Sequence, residues 1–229
     1  ATLVRHAGMM RRAERDGENL IIELEADEDH DATGVTLLTP DHPGLFAKVA
    51  GALSLGGVNI VDAKIVTLNN GMALDTFWVQ DSHAEAIAGA GRVTRIKNRL
   101  ERALSGVAPP SRELKEARAN AMPSRTSVFK VPPRVLIDNK ASSTYTVIEV
   151  NGRDRLGLLH DVTNALTEAG LQIASAHIST YGVRVVDVFY VKDIFGLKME
   201  QPGKIETVRT MLLAAIAKPI TDKATEAAE

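Results

Sequence analysis

Apolar and polar positions follow the same order of patterns twice along this chain of 229 residues. In each half a β-rich run comes first, followed by a D-x-x-G-L turn and then by apolar residues at the i, i+4 spacing of a helix. Two alternating strands come next, separated by a turn, and a second amphipathic helix closes the unit. The pattern therefore predicts the element order β-α-β-β-α in both halves.

An alignment of residues 41–81 with residues 154–193 indicates that the two halves are copies of one module. With one deletion allowed at the Asn69-Asn70 turn, fifteen of about forty positions are identical, where chance gives roughly two or three. The matches include the Asp, Gly and Leu of the D-x-x-G-L turn, and Asp75 with Asp187 in the third strand. We predict an α+β fold of two ferredoxin-like βαββαβ modules in tandem, whose sheets can join edge to edge.

The pattern leaves the fourth strand of each module to be assigned. Residues 134–138 are β-rich and follow a proline-rich linker at 108–133, so we assign them as the closing strand of the first module. No strand pattern follows the second module, and we assign the spare strand at 20–25 to its vacant edge. The predicted units are 1–17 (the end of a helix from an upstream domain), 18–140 (first module), 141–217 (second module) and 218–229 (flexible tail).

Composition narrows the chemistry that these modules can carry. The chain has no cysteine, which excludes thiolate metal sites and cysteine nucleophiles. A net charge of −2 gives no general attraction for nucleic acid. The longest charge-free stretch has 13 residues, at 49–61, against the roughly 20 that span a bilayer. We expect a cytoplasmic protein that binds neither nucleic acid nor membrane.

The repeated D-x-x-G-L turn combines polar side chains with a special backbone. A glycine at the start of a helix lets a ligand approach free N–H groups, where a carboxylate is favoured. The aspartate can pair with an ammonium group, and the Asn or Gln that opens the next strand can contact a ligand side chain. A zwitterionic amino acid fits these groups; the alternative is that the aspartate caps the helix and the glycine permits packing. The candidate ligand-binding residues are Asp41, His42, Gly44, Leu45 and Asn59 in the first module, and Asp154, Arg155, Gly157, Leu158 and Gln172 in the second.

Three segments, T-P-D-H-P-G-L-F-A-K-V-A-G-A-L, G-V-N-I-V-D-A-K-I and G-M-A-L-D-T-F-W-V, resemble an ACT domain. More narrowly, the pair resembles the C-terminal tandem ACT domains of the bifunctional PII uridylyltransferase/uridylyl-removing enzymes. This resemblance implies a regulatory region that senses glutamine, in a parent enzyme that modifies the PII signal protein in nitrogen signalling. It also implies binding at the strand–helix loops, 41–45 with Asn59 and 154–158 with Gln172. The sheet edges leave self-association of the chain open.

No catalytic residue is predicted in this chain. A nucleotidyltransferase signature is missing, and His30-Asp31 and His160-Asp161 lack the other spaced ligands of an HD metal site. We expect no metal ligand and no cofactor here, while the resemblance implies that the parent enzyme uses a divalent metal such as Mg in other domains.

Three other functions fit parts of the pattern. The first is a stand-alone tandem ACT regulator of another pathway. The second is an RNA-recognition module, whose base-stacking aromatics the first strands supply only at Tyr145. The third is a catalytic ferredoxin-like enzyme, which no convergent acid–base pair supports.

Overall fold

The computed structural model describes residues 2–120 and 131–218, which form six helices and eight strands. In chain order these elements are α1 (Thr2–Asp16), β1 (Ile21–Asp27), β2 (Ala32–Pro40), α2 (Leu45–Leu55), β3 (Asn59–Lys64), β4 (Met72–Gln80), α3 (Ala90–Leu104), α4 (Pro110–Ala119), β5 (Arg134–Asp138), β6 (Thr146–Arg153), α5 (Leu158–Glu168), β7 (Leu171–Tyr181), β8 (Arg184–Asp193) and α6 (Pro202–Ala217).

The strands of the described residues form one antiparallel sheet in the order β1-β2-β4-β3-β7-β8-β6-β5. The first four strands belong to the first module and the last four to the second. Each half has the strand arrangement of a ferredoxin-like fold, with α2 and α3, or α5 and α6, packed on the sheet. The predicted α+β fold with two such modules is confirmed.

The two half-sheets join where β3 pairs with β7. Ala63 lies opposite Ala176 at the centre of this short pairing, and both are buried beneath the helices. The Asp62 carboxylate lies 3.0 Å from Nδ1 of His177 on the other face. Because α2 packs beside α5 across the joint, one cluster of buried side chains extends through both modules. The joint leaves β1 and β5 as the two edges of the sheet.

The assignment of the two closing strands from the sequence is wrong, and the two are exchanged. The spare strand β1 pairs with β2 of its own first module, with Ile21 opposite Leu38. Strand β5 pairs with β6 of the second module, with Val135 opposite Val150. Each strand therefore closes the module that follows it in the chain. A short connection to its neighbour makes each pairing a local hairpin, which costs little loop-closure entropy.

The predicted linker at 108–133 contains a helix, α4, which the prolines concealed. Pro110 occupies the first turn, where a missing N–H is tolerated, and the helix runs to Ala119. Leu114 is 1% exposed, although it is the one large apolar residue of the helix. Gly51 of α2 makes room for α4, because a Cβ at that position would lie 2.6 Å from Pro110 Cβ. The rest of the linker, 121–130, and the tail from 219 onward lie outside the described residues.

Helix α1 packs on the sheet face opposite the other helices. Its Met9 is 1% exposed and joins Ile21, Leu38 and Leu74 in a second, smaller apolar cluster. Arg12 is held 3.1 Å from Glu23 of β1. Residues 2–16 therefore form part of the first module's structure as well as leading into it.

Candidate functional site

A cavity of about 470 Å³ lies between the two modules, beside the D-x-x-G-L turn of the first. Its lining residues are Asp41, His42, Pro43, Gly44, Leu45, Phe46, Ile65, Thr67 and Asp75 from the first module, and Thr167, Gly170, Leu171, Gln172, Ile173, Ala174, Lys192 and Ile194 from the second. A volume between about 300 and 1,000 Å³ is typical of sites for small molecules. The candidate residues of the first turn are thus brought together at one site.

Gly44 keeps the start of α2 open to the cavity. Its φ of 83° is a left-handed conformation that other residues adopt at a cost, and it caps the helix without any side-chain hydrogen bond. A Cβ at this position would meet nothing within 4 Å. The N–H of Leu45 donates to the carbonyl of His42 at 3.2 Å, but no side chain caps the N–H groups that follow it in the first turn. These groups can therefore meet an anionic group.

Asp41 does not cap α2, contrary to the structural alternative considered from the sequence. Its Oδ2 accepts a hydrogen bond of 2.6 Å from the hydroxyl of Thr67, and its backbone N–H donates to the carbonyl of Gly71. The carboxylate is exposed at the mouth of the site. It is thus oriented by the segment after β3 rather than by the helix.

Asp75 is a buried carboxyl group in the cavity wall. It lies on β4, is 1% exposed, and its Oδ1 accepts the backbone N–H of Val66 at 3.3 Å. Burial raises the pKa of Asp75 to about 7; the Val66 hydrogen bond opposes this shift and the negative charge of Asp41 adds to it. Near neutral pH this carboxyl is therefore divided between its protonated and ionised forms.

Two basic groups complete the charge pattern of the cavity. Lys48 of α2 donates to Nε2 of His42 at 3.4 Å, while Nδ1 of the same ring donates to the carbonyl of Pro43 at 3.0 Å. Both ring nitrogens of His42 are thus engaged by groups of the first module. From the second module, Lys192 lies 5.2 Å above the ring of Tyr145 and also lines the cavity.

The amide side chains that open β3 and β7 are placed differently from the prediction. Gln172 lines the cavity of the first turn, not of its own module's turn, because the β3–β7 joint brings the start of β7 against the first module. Asn59 is exposed opposite Gln80 and does not line this cavity. The pairing of 41–45 with Asn59 and of 154–158 with Gln172 is therefore wrong, since the first turn meets Gln172.

The turn of the second module is covered by α4. Gly157 has the same left-handed backbone as Gly44, with φ of 71°, but a Cβ there would overlap Nη2 of Arg118 and lie 2.8 Å from Leu114 Cδ2. Arg118 Nε donates to the carbonyl of Leu156 at 3.0 Å. The N–H of Gly157 donates to the hydroxyl of Ser54 at 3.0 Å. Side chains of this chain thus occupy the space that remains open in the first module.

A buried group of charges fixes α4 and the second turn to α5. Asp161 lies 2.7 Å from Arg155 and 3.1 Å from Arg118, and Nδ1 of His160 lies 3.3 Å from its Oδ1. Burial alone would raise the pKa of Asp161, but the His160 hydrogen bond and the two guanidinium groups hold it well below its usual range. Ser111 of α4 contacts Nε2 of His160 at 3.1 Å. Arg155, predicted as a ligand contact, is part of this internal cluster.

Asp187 repeats the burial of Asp75 beneath the covered turn. It is 2% exposed, and within the described residues its Oδ1 has no hydrogen-bond partner. Burial raises the pKa of Asp187 to about 7. Its module therefore keeps the buried carboxyl beneath a turn that Leu114 and Arg118 cover.

Sequence reasoning missed several residues that complete the first site: Thr67, Asp75 and Lys192. The signal for Asp75 was present, because it is identical to Asp187 in the repeat although a carboxylate facing a core is unfavourable. Thr67 is also repeated, as Thr180, but a threonine in this position carries no unusual chemistry. Lys192 gave no signal, since only the join of the two sheets brings it to this cavity.

Within residues 2–120 and 131–218, no group of three or more His, Asp or Glu side chains is arranged to hold a metal ion. No helix in the same ranges is both long and apolar enough to cross a membrane.

Comparison with known proteins identifies close relatives. Residues 141–217 match the family model described as the ACR family N-terminal ACT domain. The chain is 47% identical, over its whole length, to 24% of the bifunctional uridylyltransferase/uridylyl-removing enzyme of Rhodospirillum rubrum. It is 50% identical, over 95% of its length, to 23% of the enzyme of that name from Azospirillum brasilense. The chain thus spans about a quarter of the length of the curated relatives that it matches.

Among solved structures, the chain is similar to an aspartate kinase from Synechocystis. The likeness has a TM-score of 0.41 and 17% identity, and it covers 82% of this chain and 27% of the kinase chain. A likeness this distant has no bearing on function.

Proposed function

We propose that this chain, a tandem ACT region homologous to part of the bifunctional uridylyltransferase/uridylyl-removing enzymes, is a regulatory sensor of a free amino acid, glutamine. The observation that carries the proposal is the cavity between the modules, where the open start of α2 lies beside Asp41 and Gln172. A zwitterion needs a carboxylate site and an ammonium site within a few ångströms of each other. The uncapped N–H groups at the start of α2 supply the carboxylate site, and Asp41 and Asp75 supply the ammonium site.

The identity of the ligand follows from the polar group on the second module's side. Gln172 offers both a donor and an acceptor, which is the complement that a carboxamide side chain requires. A carboxylate side chain in its place would lie in a cavity that already holds Asp41 and Asp75. This charge balance favours glutamine over glutamate.

The proposed role in the larger protein is regulation rather than catalysis. The relatives are named for two opposed activities, and this chain corresponds to about a quarter of their length. We propose that the amino acid binds to this region. Both reactions, and the contact with the PII signal protein, would then belong to the rest of such a protein. A ligand that binds across two modules shifts their relative arrangement only if its affinity differs between two such arrangements.

Isothermal titration of the chain with each of the twenty amino acids tests the proposal. We expect glutamine to bind at one site per chain and glutamate to bind at least tenfold more weakly. Gln172→Ala should weaken glutamine binding at least tenfold, while Asn59→Ala, its counterpart in the repeat, should leave it unchanged. Equal affinities for glutamine and glutamate, or no heat with any amino acid, would contradict the proposal.

A further inference from the structure

The cavity has an excess of acid on the first module's side. Asp41 and Asp75 both line it, and the negative charge of Asp41 acts on Asp75. Among the described residues, neither aspartate forms an ion pair with a basic side chain of the chain. Other buried or half-buried aspartates here do, such as Asp161 with Arg155 and Asp81 with Arg92. The exposed Asp41 is solvated, but the buried Asp75 is left without a counter-charge.

We propose that Asp75, together with Asp41, receives the α-ammonium group of the bound amino acid, and that Asp75 loses its proton when the ligand binds. This assignment rests on the proposed function. It adds Asp75 to the residues that bind the ligand, and it adds the release of a proton to the binding reaction. An ammonium group next to a buried carboxyl favours the ionised form of that carboxyl. The proton leaves the carboxyl of Asp75 for the buffer, and the ligand keeps all of its own.

Four other titratable side chains of the described residues lie around Asp75, and each is a possible alternative source of the released proton. The turn contributes Asp41 and His42, α2 contributes Lys48 behind His42, and β8 contributes Lys192. Both nitrogens of the His42 ring are engaged, one by the carbonyl of Pro43 and the other by Lys48, so gaining or losing a proton would break one of these contacts. Asp75, whose pKa burial raises to about 7, is the carboxyl group of this cavity that titrates near neutral pH.

Asp187 provides a control with the same chemistry and no cavity. It occupies the same position of the repeat, it is equally buried, and its pKa is also raised to about 7. Its turn is covered by α4, as the position of Arg118 against Gly157 shows. Replacing Asp187 should therefore change the acid–base titration of the protein and leave ligand binding unchanged.

The test is calorimetric titration of the chain with glutamine at pH 6, 7 and 8, in buffers of different ionisation enthalpy. We expect the release of about half a proton per ligand at pH 7 and an affinity about tenfold lower at pH 6 than at pH 8. Asp75→Asn should abolish both the proton release and the pH dependence, and should weaken binding at pH 8 at least tenfold. Asp187→Asn should retain both.

Each other outcome has a defined meaning. Glutamine binding to the unaltered chain without proton release would overturn the assignment of Asp75 and leave the proposed function standing. Proton release that persists in Asp75→Asn would also overturn it, because the proton would then come from another group. No binding of any amino acid to the unaltered chain would overturn the proposed function and this inference together.

Discussion

The two glycines of the repeated turn should differ in how much stability they lose on substitution by alanine. Both have a left-handed backbone, which costs an alanine about 1 kcal/mol. At Gly44 the new Cβ meets nothing within 4 Å, so that cost is the whole effect. At Gly157 the Cβ collides with the ends of the Leu114 and Arg118 side chains. Because Leu114 is buried and has no free space to turn into, we expect α4 to move away.

The extra loss at Gly157 follows from the burial of Leu114. That side chain is 1% exposed, and returning it to water costs about 2 kcal/mol. We therefore expect Gly44→Ala to destabilise the chain by about 1 kcal/mol and Gly157→Ala by about 3 kcal/mol. For a chain of this size, the difference of about 2 kcal/mol places the melting temperature of Gly157→Ala about 6 °C below that of Gly44→Ala.

Urea unfolding followed by circular dichroism measures both variants, and hydrogen exchange locates the effect. The backbone N–H groups of α4 that follow Pro110 should lose protection in Gly157→Ala only. In the double variant Gly157→Ala/Leu114→Ala, the second change should cost less than it does alone, because α4 is already displaced. Equal losses at the two glycines, with α4 still protected, would refute the reasoning.

Two more predictions concern the cohesion of the fold. Asp161→Asn should cost about 3 kcal/mol at pH 7, because it removes the carboxylate that pairs with the buried Arg155 and the half-buried Arg118. The pKa of Asp161 is lowered in the folded state, so its contribution is lost as the pH falls below about 4. The variant should therefore lose less stability than the unaltered chain on acidification, and parallel acid profiles would contradict this. The two modules should melt as one unit, because they share a sheet and a core, and calorimetric and van't Hoff enthalpies should agree; two separate transitions would contradict this.

The repeat made most of the fold predictable from the sequence. Fifteen shared positions fix the order of strands and helices in both modules, and the periodicity of each element is strong. The closing strands were assigned wrongly because the fourth strand was expected after the second helix of each module, and sequence alone does not say which edge a strand joins. Helix α4 was missed because one buried leucine in ten residues gives no periodic signal.

The site was predictable only in part. The turn at 41–45 follows from a local pattern, and the structure places it at the cavity. Its partner across the cavity depends on the β3–β7 joint, which no local pattern encodes, and so Gln172 was paired with the wrong turn. The covering of Gly157 likewise depends on where α4 packs, so the shared D-x-x-G-L pattern does not show that one turn is open and the other covered.

This difference between the two turns limits how sharply the chain can respond to its ligand. With one turn open and the other occupied by Leu114 and Arg118, two identical ligands have no pair of equivalent places through which to assist each other. The dose–response curve of a single chain would be hyperbolic, so an increase of about 80-fold in free amino acid separates 10% from 90% occupancy. Such a receptor grades its output over a wide concentration range, and any steeper switching would have to be generated outside this pair of modules.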